Sequence, residues 1–337
     1  MTHPLESAPD RPRGPSVVVA GASAGGVEAL VALVGTLPAD FPYPVLVVLH
    51  VSPSGTSVLP AILSRACSLP VAAPLDGDHI QPGRVYVAPP DSHLVVEDSH
   101  LRLSKAPREN GHRPAIDPTM RSAAQFYDGS TFGIVLSGSR DDGTAGLLAI
   151  KAGGGTAIVQ DPAEALYDAM PLSALSHVDV DAVLPVSEMA SWILANAPDP
   201  PDRTENPVSN EPVVNTGERT ASGEGTRYTC PDCGGVLFER HEGALERFEC
   251  SVGHVFSIES LSSAQASTLE GALWAAVRAL DDRAALLKRM AARARANGHR
   301  RSAATFERQA EEALERASTI RLRIEMTSDD LSEAAGA

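Results

Sequence analysis

Aromatic side chains make up only 4% of this 337-residue chain. Its cores must therefore rest on Ala, Val and Leu. Basic residues are also in deficit, with 28 Lys and Arg against 43 Asp and Glu, a formal net charge of −15. Binding nucleic acid over a whole surface needs a basic face that releases counterions, so this balance argues against nucleic acid as a partner. No apolar run approaches the roughly 18 residues of a membrane span, which speaks against membrane insertion. Residues 1–15 carry charges and prolines but no apolar core of a secretory signal, so the expected setting is cytoplasmic. Cysteine is sparse: Cys67, Cys230, Cys233 and Cys250. Three of the four cluster late, which in a reducing compartment points to metal rather than disulfides.

Two glycine-rich signatures are missing as well. The turn Gly21-Ala-Ser-Ala-Gly-Gly26 lacks the middle glycine of a dinucleotide fingerprint, and no Gly-Lys-Ser/Thr of a phosphate loop follows it. What remains is a G-x-S-x-G pattern between the apolar run Val17–Ala20 and an apparent helix. A serine held there projects its hydroxyl beyond the sheet edge, close to helix N-terminal amides. Ser23 is therefore a candidate nucleophile if a base can reach it.

From residue 16 to about 195, short apolar runs alternate with helical patterns. Strands are expected at 17–20, 45–49, 84–88, 133–136, 156–159 and 182–185, with a hairpin over 92–97 and 101–104. Helices are expected near 25–36, 55–66, 117–127, 143–153, 171–176 and 187–195. Continuous apolar strands separated by helices predict an α/β fold, a doubly wound and mainly parallel sheet covered on both faces. In such sheets ligands bind beyond the C-terminal strand ends. Ser23, His50 at the end of Val-Leu-Val-Val-Leu-His, and Asp142 beyond Gly-Ile-Val-Leu-Ser would then share one edge. A hydroxyl, an imidazole and a carboxylate are the types a serine nucleophile needs. His93 is the main rival for the base, His112 a further histidine, and Asp142 could merely cap the next helix. The order Ser, His, Asp, with serine after the first strand, separates the chain from α/β-hydrolases.

Residues 196–226 are rich in Pro, Asn, Glu, Ser and Gly and read as a linker. Next comes C-x2-C at Cys230 and Cys233, sixteen residues, and C-x3-H at Cys250 and His254. That spacing predicts a structural Zn2+ site in a small zinc-ribbon-like module over 227–262, with His241 as a weaker alternative ligand. Four protein ligands would close the site, so no metal serves catalysis and no other cofactor is implied. Residues 263–327 show 4-3-4-3 spacing through Leu273, Val277, Leu280, Ala284 and Leu287, then a break at Asn297-Gly-His. The matching second half runs Ala303, Phe306, Ala310, Ala313, Ala317, Ile320 and Ile324. This predicts an α-helical hairpin that packs within the chain, forms a homo-oligomer or binds a partner. A disordered leader (1–15) and a frayed tail (328–337) complete the division around a catalytic domain at 16–195.

Residues 16 to about 190 resemble the catalytic domain of the chemotaxis receptor methylesterases, the CheB family. The resemblance is carried by Gly21-Ala-Ser-Ala-Gly-Gly26, His50-Val-Ser-Pro-Ser-Gly-Thr56, Val85-Tyr-Val-Ala-Pro-Pro-Asp-Ser-His93 and His112-Arg-Pro-Ala-Ile-Asp117. It continues through Gly133-Ile-Val-Leu-Ser-Gly138, Asp142-Gly-Thr-Ala-Gly146 and Met170-Pro-Leu-Ser-Ala174. It implies hydrolysis of glutamate γ-methyl esters, and deamidation of glutamines, on chemoreceptor helices or a related signalling protein. Nucleophile, base and acid fall on Ser23, His50 and Asp142. Oxyanion donors are expected at the amides of Ala24 and near Ser139. Arg113 and Met170 are expected as cleft walls, with Arg113 equally readable as a surface ion-pair partner. Two departures stand out: Ala24 replaces the usual threonine, and Ser139-Arg140-Asp141 replaces the usual Met-Gly-Asn. The added charge of Asp141 could raise the pKa of His50 or face solvent. Only about 15 residues precede the first strand, so the expectation is a member without the N-terminal receiver domain. The alternative is an inactive methylesterase-like protein recruited to a signalling complex through its tail.

Overall fold

The computed structural model describes residues 16–55, 57–197, 225–243 and 245–334. The expected leader, and all but the ends of the expected linker, lie outside these residues. The strands are β1 (Val17–Ala22), β2 (Val45–Leu49), β3 (Val71–Ala72), β4 (Asp78–His79), β5 (Val85–Val87), β6 (His93–Glu97), β7 (His100–Ser104), β8 (Thr131–Val135), β9 (Thr156–Gln160) and β10 (Ala182–Leu184). They alternate with α1 (Gly26–Gly35), α2 (Leu59–Ala66), α3 (Ile116–Tyr127), α4 (Thr144–Ala152), α5 (Ala169–His177) and α6 (Val186–Asn196). Further along come β11 (Gly225–Thr229), β12 (Val236–Glu242), β13 (Leu245–Cys250), β14 (Val255–Ser257), α7 (Ile258–Ala296) and α8 (Arg300–Ala334).

Seven strands form one sheet in the order β10-β9-β8-β1-β2-β5-β3. Every pairing in it is parallel. Successive residues of a strand point to opposite faces, and the burial follows that rule. Val18, Ala20 and Ala22 pack with Leu30 and Leu33 of α1, Leu63 of α2 and Ile193 of α6. Val17 and Val19 pack on the other face with Met120 of α3, Leu147 of α4 and Ala174 of α5. The chain leaves β1 toward β2 on one side, while β8 flanks β1 on the other. That reversal opens a crevice at the C-terminal ends of β1, β2 and β8.

α2 starts at Leu59, later than its apolar pattern predicts, because Pro60 fits only the first turn of a helix. β4, β6 and β7 form a separate antiparallel sheet. The two-residue strands β3 and β4 are too short to leave an apolar pattern.

β11 to β14 form a four-stranded antiparallel sheet. It belongs to the same compact unit as the large sheet, which extends to Leu261; residues 262–337 form a second unit. Within the second unit, α7 and α8 share a seam of Ala284, Leu287, Ala310 and Ala313, with Leu280, Phe306 and Leu314 against it. Arg295 pairs with Glu307, and Arg321 with Asp281, across that seam. α8 runs to Ala334, through part of the stretch expected to fray.

Candidate active site

The turn after β1 is tied to the turn after β8: the Ser23 amide donates to the Ser137 carbonyl at 3.0 Å. Gly25 sits at φ 67°, and a Cβ there would meet Leu166 and the Ser137 hydroxyl at 2.8 Å. At Gly138 a Cβ would lie 2.0 Å from the Met170 sulfur and 2.9 Å from Ser23 Cβ. Both positions need glycine, one for its dihedral and the other for close approach. The result places Ser23 at the N-terminus of α1.

His50 follows β2, and its amide donates to the Ala22 carbonyl at 3.2 Å. Its Nδ1 lies 3.0 Å from Ser23 Oγ. Its Nε2 lies 2.7 Å from Asp142 Oδ2. An ionised carboxylate only accepts, so Nε2 carries the proton and Nδ1 accepts from the Ser23 hydroxyl. The His112 ring stacks on the His50 ring, centroids 3.7 Å apart and planes within 8°. Burial, and next the adjacent His50, push the His112 pKa down to about 3. It is a neutral flat wall that fixes the plane of His50.

Asp142 is buried, which by itself favours the protonated carboxyl. The hydrogen bond and charge of His50, with the Ile116 amide, outweigh burial and hold it well below the usual carboxylate range. Oδ2 accepts from the Ile116 amide at 2.7 Å. Oδ1 accepts from Asn110 Nδ2 at 3.0 Å and the Asp117 amide at 3.3 Å. Asp142 therefore caps α3, not the helix that follows it in sequence, whose N-cap is Gly143. Asp117 returns the arrangement: its Oδ1 accepts the Gly143 and Gly146 amides of α4 at 2.9 and 2.8 Å. Each carboxylate thus caps the helix that the other belongs to or precedes. Burial, followed by the charge of Asp142, pushes the Asp117 pKa up to about 7.

His93, the rival base, is buried and does not line the cleft. It contacts the Pro107 carbonyl through Nε2 at 3.0 Å and accepts the Ala115 amide at Nδ1. Burial lowers its pKa. Asp141 does not face solvent: it is buried and accepts from Ser257 Oγ at 2.7 Å. Burial raises its pKa to about 6, against the pull of that hydroxyl.

A cleft of about 490 Å³ opens over these groups, lined by Ser23, Ala24, His50, Arg108, His112 and Arg113 among others. Arg113 lines the cleft, and its guanidinium holds Asp91 at 2.6 Å. Met170 is fully buried and lies beneath the site, against Gly138, rather than on the wall. Ser139 is exposed on the turn after β8 and does not line the cleft.

The ligand atoms of Cys230, Cys233, Cys250 and His254 lie within 4.8 Å of one another. Cys233 and Cys250 sulfurs are 3.7 Å apart. His254 Nδ1 is 3.5 Å from Cys250 Sγ and 3.7 Å from Cys230 Sγ. Thiolates about 2.3 Å from a tetrahedral zinc are about 3.8 Å from each other, so the donor set fits that ion. His241 is outside this group and pairs with Glu239 at 3.2 Å.

A serine hydroxyl, an imidazole and a buried carboxylate in line at the switch point of a doubly wound sheet define a hydrolase-like architecture. The CheB methylesterase family model matches residues 18–193, just over half of the chain, and the chain belongs to that family. A protein-glutamate methylesterase/protein-glutamine glutaminase of Paramagnetospirillum magneticum is 38% identical over 196 residues, covering 57% of this chain and 51% of the relative. A putative protein of the same description from Leptospira interrogans is 37% identical over 178 residues, covering 52% of this chain and 92% of its own. The chain thus spans about half the length of the first of these relatives. The crystal structure of the Thermotoga maritima CheB methylesterase catalytic domain aligns with a TM-score of 0.52 at 34% identity, over 54% of this chain and 98% of that one. Among the described residues, no helix is long and apolar enough to cross a membrane.

Proposed function

We propose that this chain hydrolyses glutamate γ-methyl esters, and deamidates glutamines, on chemoreceptor helices or a related signalling protein. The observation that carries the reading is the unbroken line Ser23 Oγ, His50 Nδ1, His50 Nε2, Asp142 Oδ2 at 3.0 and 2.7 Å. His50 takes the Ser23 proton as Oγ bonds to the ester carbonyl carbon. Asp142 holds the imidazolium that forms. The oxyanion meets the Ala24 amide at the positive end of α1, a position where hydrogen bonding is worth most as charge develops. His50 then protonates the departing methoxide, the C–O bond breaks, and methanol leaves. Water, deprotonated by His50, attacks the acyl-serine; the Ser23 oxygen regains the proton and a glutamate is released. For a glutamine the leaving group is ammonia. Ala24 in place of threonine removes a hydroxyl but keeps the amide the mechanism uses.

We assign Zn2+ to Cys230, Cys233, Cys250 and His254. The ion supplies structure alone, since all four positions are filled by the chain. Asp232, 4.0 Å from His254 Nε2, is placed to orient that ring. We divide the chain into a catalytic domain (16–195), a zinc-ribbon-like module (227–262) and a helical hairpin (263–327). The test is methanol release from a γ-methyl-glutamyl peptide of a methylated receptor. Wild-type protein should release it and Ser23→Ala should not; equal turnover by both would remove the reading.

A further inference from the structure

Arg247 lies on β13, amid Glu242, Glu246 and Glu249, yet it is 1% exposed. Its guanidinium reaches Asp117 Oδ2 at 3.1 Å, across 130 residues of sequence. Glu109 Oε2 is 3.8 Å away, and Glu242 is 4.0 Å from its Nε. Among the described residues, Nε and Nη1 have no hydrogen-bond partner. A buried guanidinium with two idle nitrogens is a poor stabilising device, because desolvation is not repaid by a full set of bonds. Its value must be sought in what it does to its neighbour.

That neighbour is the partner of Asp142. Asn110, at φ 53°, bridges the two carboxylates: Nδ2 donates to Asp142 Oδ1 at 3.0 Å and Asp117 Oδ2 at 3.3 Å. Its Oδ1 accepts from the Ser257 amide and Ser260 Oγ, both at 3.1 Å. Its own amide donates to the Val255 carbonyl at 2.7 Å. Asn110 is thus fully satisfied, half by the triad acid and its neighbour and half by the β14–α7 corner. Ser257 Oγ also binds Asp141, the residue just before the acid. Arg121 neutralises Glu109, with Nη2 2.6 Å from both of its oxygens. Asp117 and Glu109 then face two guanidinium groups, Arg121 and Arg247, with the Asp142 charge adding to that of Asp117. Remove Arg247 and the two buried carboxyls Asp117 and Glu109 share one cation, Arg121. Asp117, already raised to about 7, would then stay protonated to higher pH, and a protonated carboxyl is a poorer acceptor for the Gly143 and Gly146 amides that fix the loop carrying Asp142.

We propose that Arg247, supplied by the cysteine-bearing module, is a positioning residue for the triad acid: through Asp117 it holds Asp142 in line with His50. It rests on the triad assigned above. The test is steady-state hydrolysis of p-nitrophenyl acetate and of the γ-methyl-glutamyl peptide by the full chain, with thermal unfolding to confirm folding. Arg247→Met should lower kcat on the order of tenfold with KM unchanged, the cost of a small misplacement at the reacting groups. Asp117→Asn should also lower kcat. The double variant should be no slower than the slower single variant, because both remove one interaction. Multiplying effects, or wild-type kcat in folded Arg247→Met, would overturn the proposal. If Arg247→Met does not fold, Arg247→Lys decides: reduced kcat at constant KM supports the role, and wild-type kcat overturns it. Ser23→Ala separates the two readings. If it keeps activity, the triad assignment fails; if it is inactive while Arg247→Met is unimpaired, only the positioning role fails.

Discussion

The two polar constellations of the first unit are held by different means. Ser23, His50 and Asp142 hang from the ends of three parallel strands locked between two apolar layers. Asp142 takes two of its hydrogen bonds from backbone amides, which cannot rotate away. The module that carries Arg247 has little such support: Leu237, Leu245, Phe248, Val255 and Phe256 are its main buried apolar residues. So small a core supplies little stability, and metal ligation or docking must make up the difference. The contrast shows that a large core can fix atoms by burial, whereas a small sheet must be fixed by bonds to something else.

The largest break of this contrast is expected on the catalytic side. Ser23→Ala should cut ester hydrolysis on the order of 10⁴-fold or more, read as methanol release, while leaving the unfolding temperature nearly unchanged. The mirror experiment is Cys250→Ser. It should abolish stoichiometric zinc, measured by metal analysis. It should also unfold the module, since structural zinc in such small units contributes apparent free energies of about 10 kcal/mol or more. Cys250 ends β13, the strand of Arg247, so kcat should fall to the level of Arg247→Met while the large sheet stays folded. Retained stoichiometric zinc would sink the ligand assignment.

A smaller effect sharpens the junction between the two regions. The Asp141 pKa stands at about 6 in the folded chain, above its ordinary 3.8. Between those values the folded state binds a proton that the unfolded state has released. This group's contribution is therefore fully present below pH 3.8 and lost as pH rises to about 6. The difference in unfolding free energy between wild type and Asp141→Asn should drift by about 3 kcal/mol across that window and flatten above it. A flat difference throughout would show that Asp141 is not protonated more readily when folded. Ser257→Ala, which removes the hydroxyl that lowers this pKa, should extend the drift to higher pH.

Much of the catalytic side is legible in sequence. Apolar runs of strand length alternate with helical patterns, and the rule that ligands gather at C-terminal strand ends joins Ser23, His50 and Asp142 without coordinates. The cysteine spacing likewise brings four donors together, and the 4-3 spacing marks the α7–α8 seam. The junction is not legible. Arg247 sits among glutamates on a strand and reads as surface; only docking buries it. Asn110 precedes a glycine and reads as turn punctuation, yet its amide joins both regions. Met170 reads as a cleft wall because its motif neighbours the site, but close packing on Gly138 takes it below. Local pattern reports which face a residue prefers, and says nothing of a contact made 130 residues away.

The crossed caps of α3 and α4 also set an order in time. Chains emerge from the ribosome N-terminus first, so Ser23, His50, Asp117 and Asp142 all appear before Arg247 and Ser257. A growing chain owns its full complement of reacting groups while Arg247, one of the two charges that balance Asp117, is still unmade. Under the positioning role proposed for Arg247, such a chain is a quiet esterase until its last strands arrive. Nascent chains stalled before β13 should react sluggishly with a serine-directed fluorophosphonate, and those stalled well beyond α7 should react at the full rate.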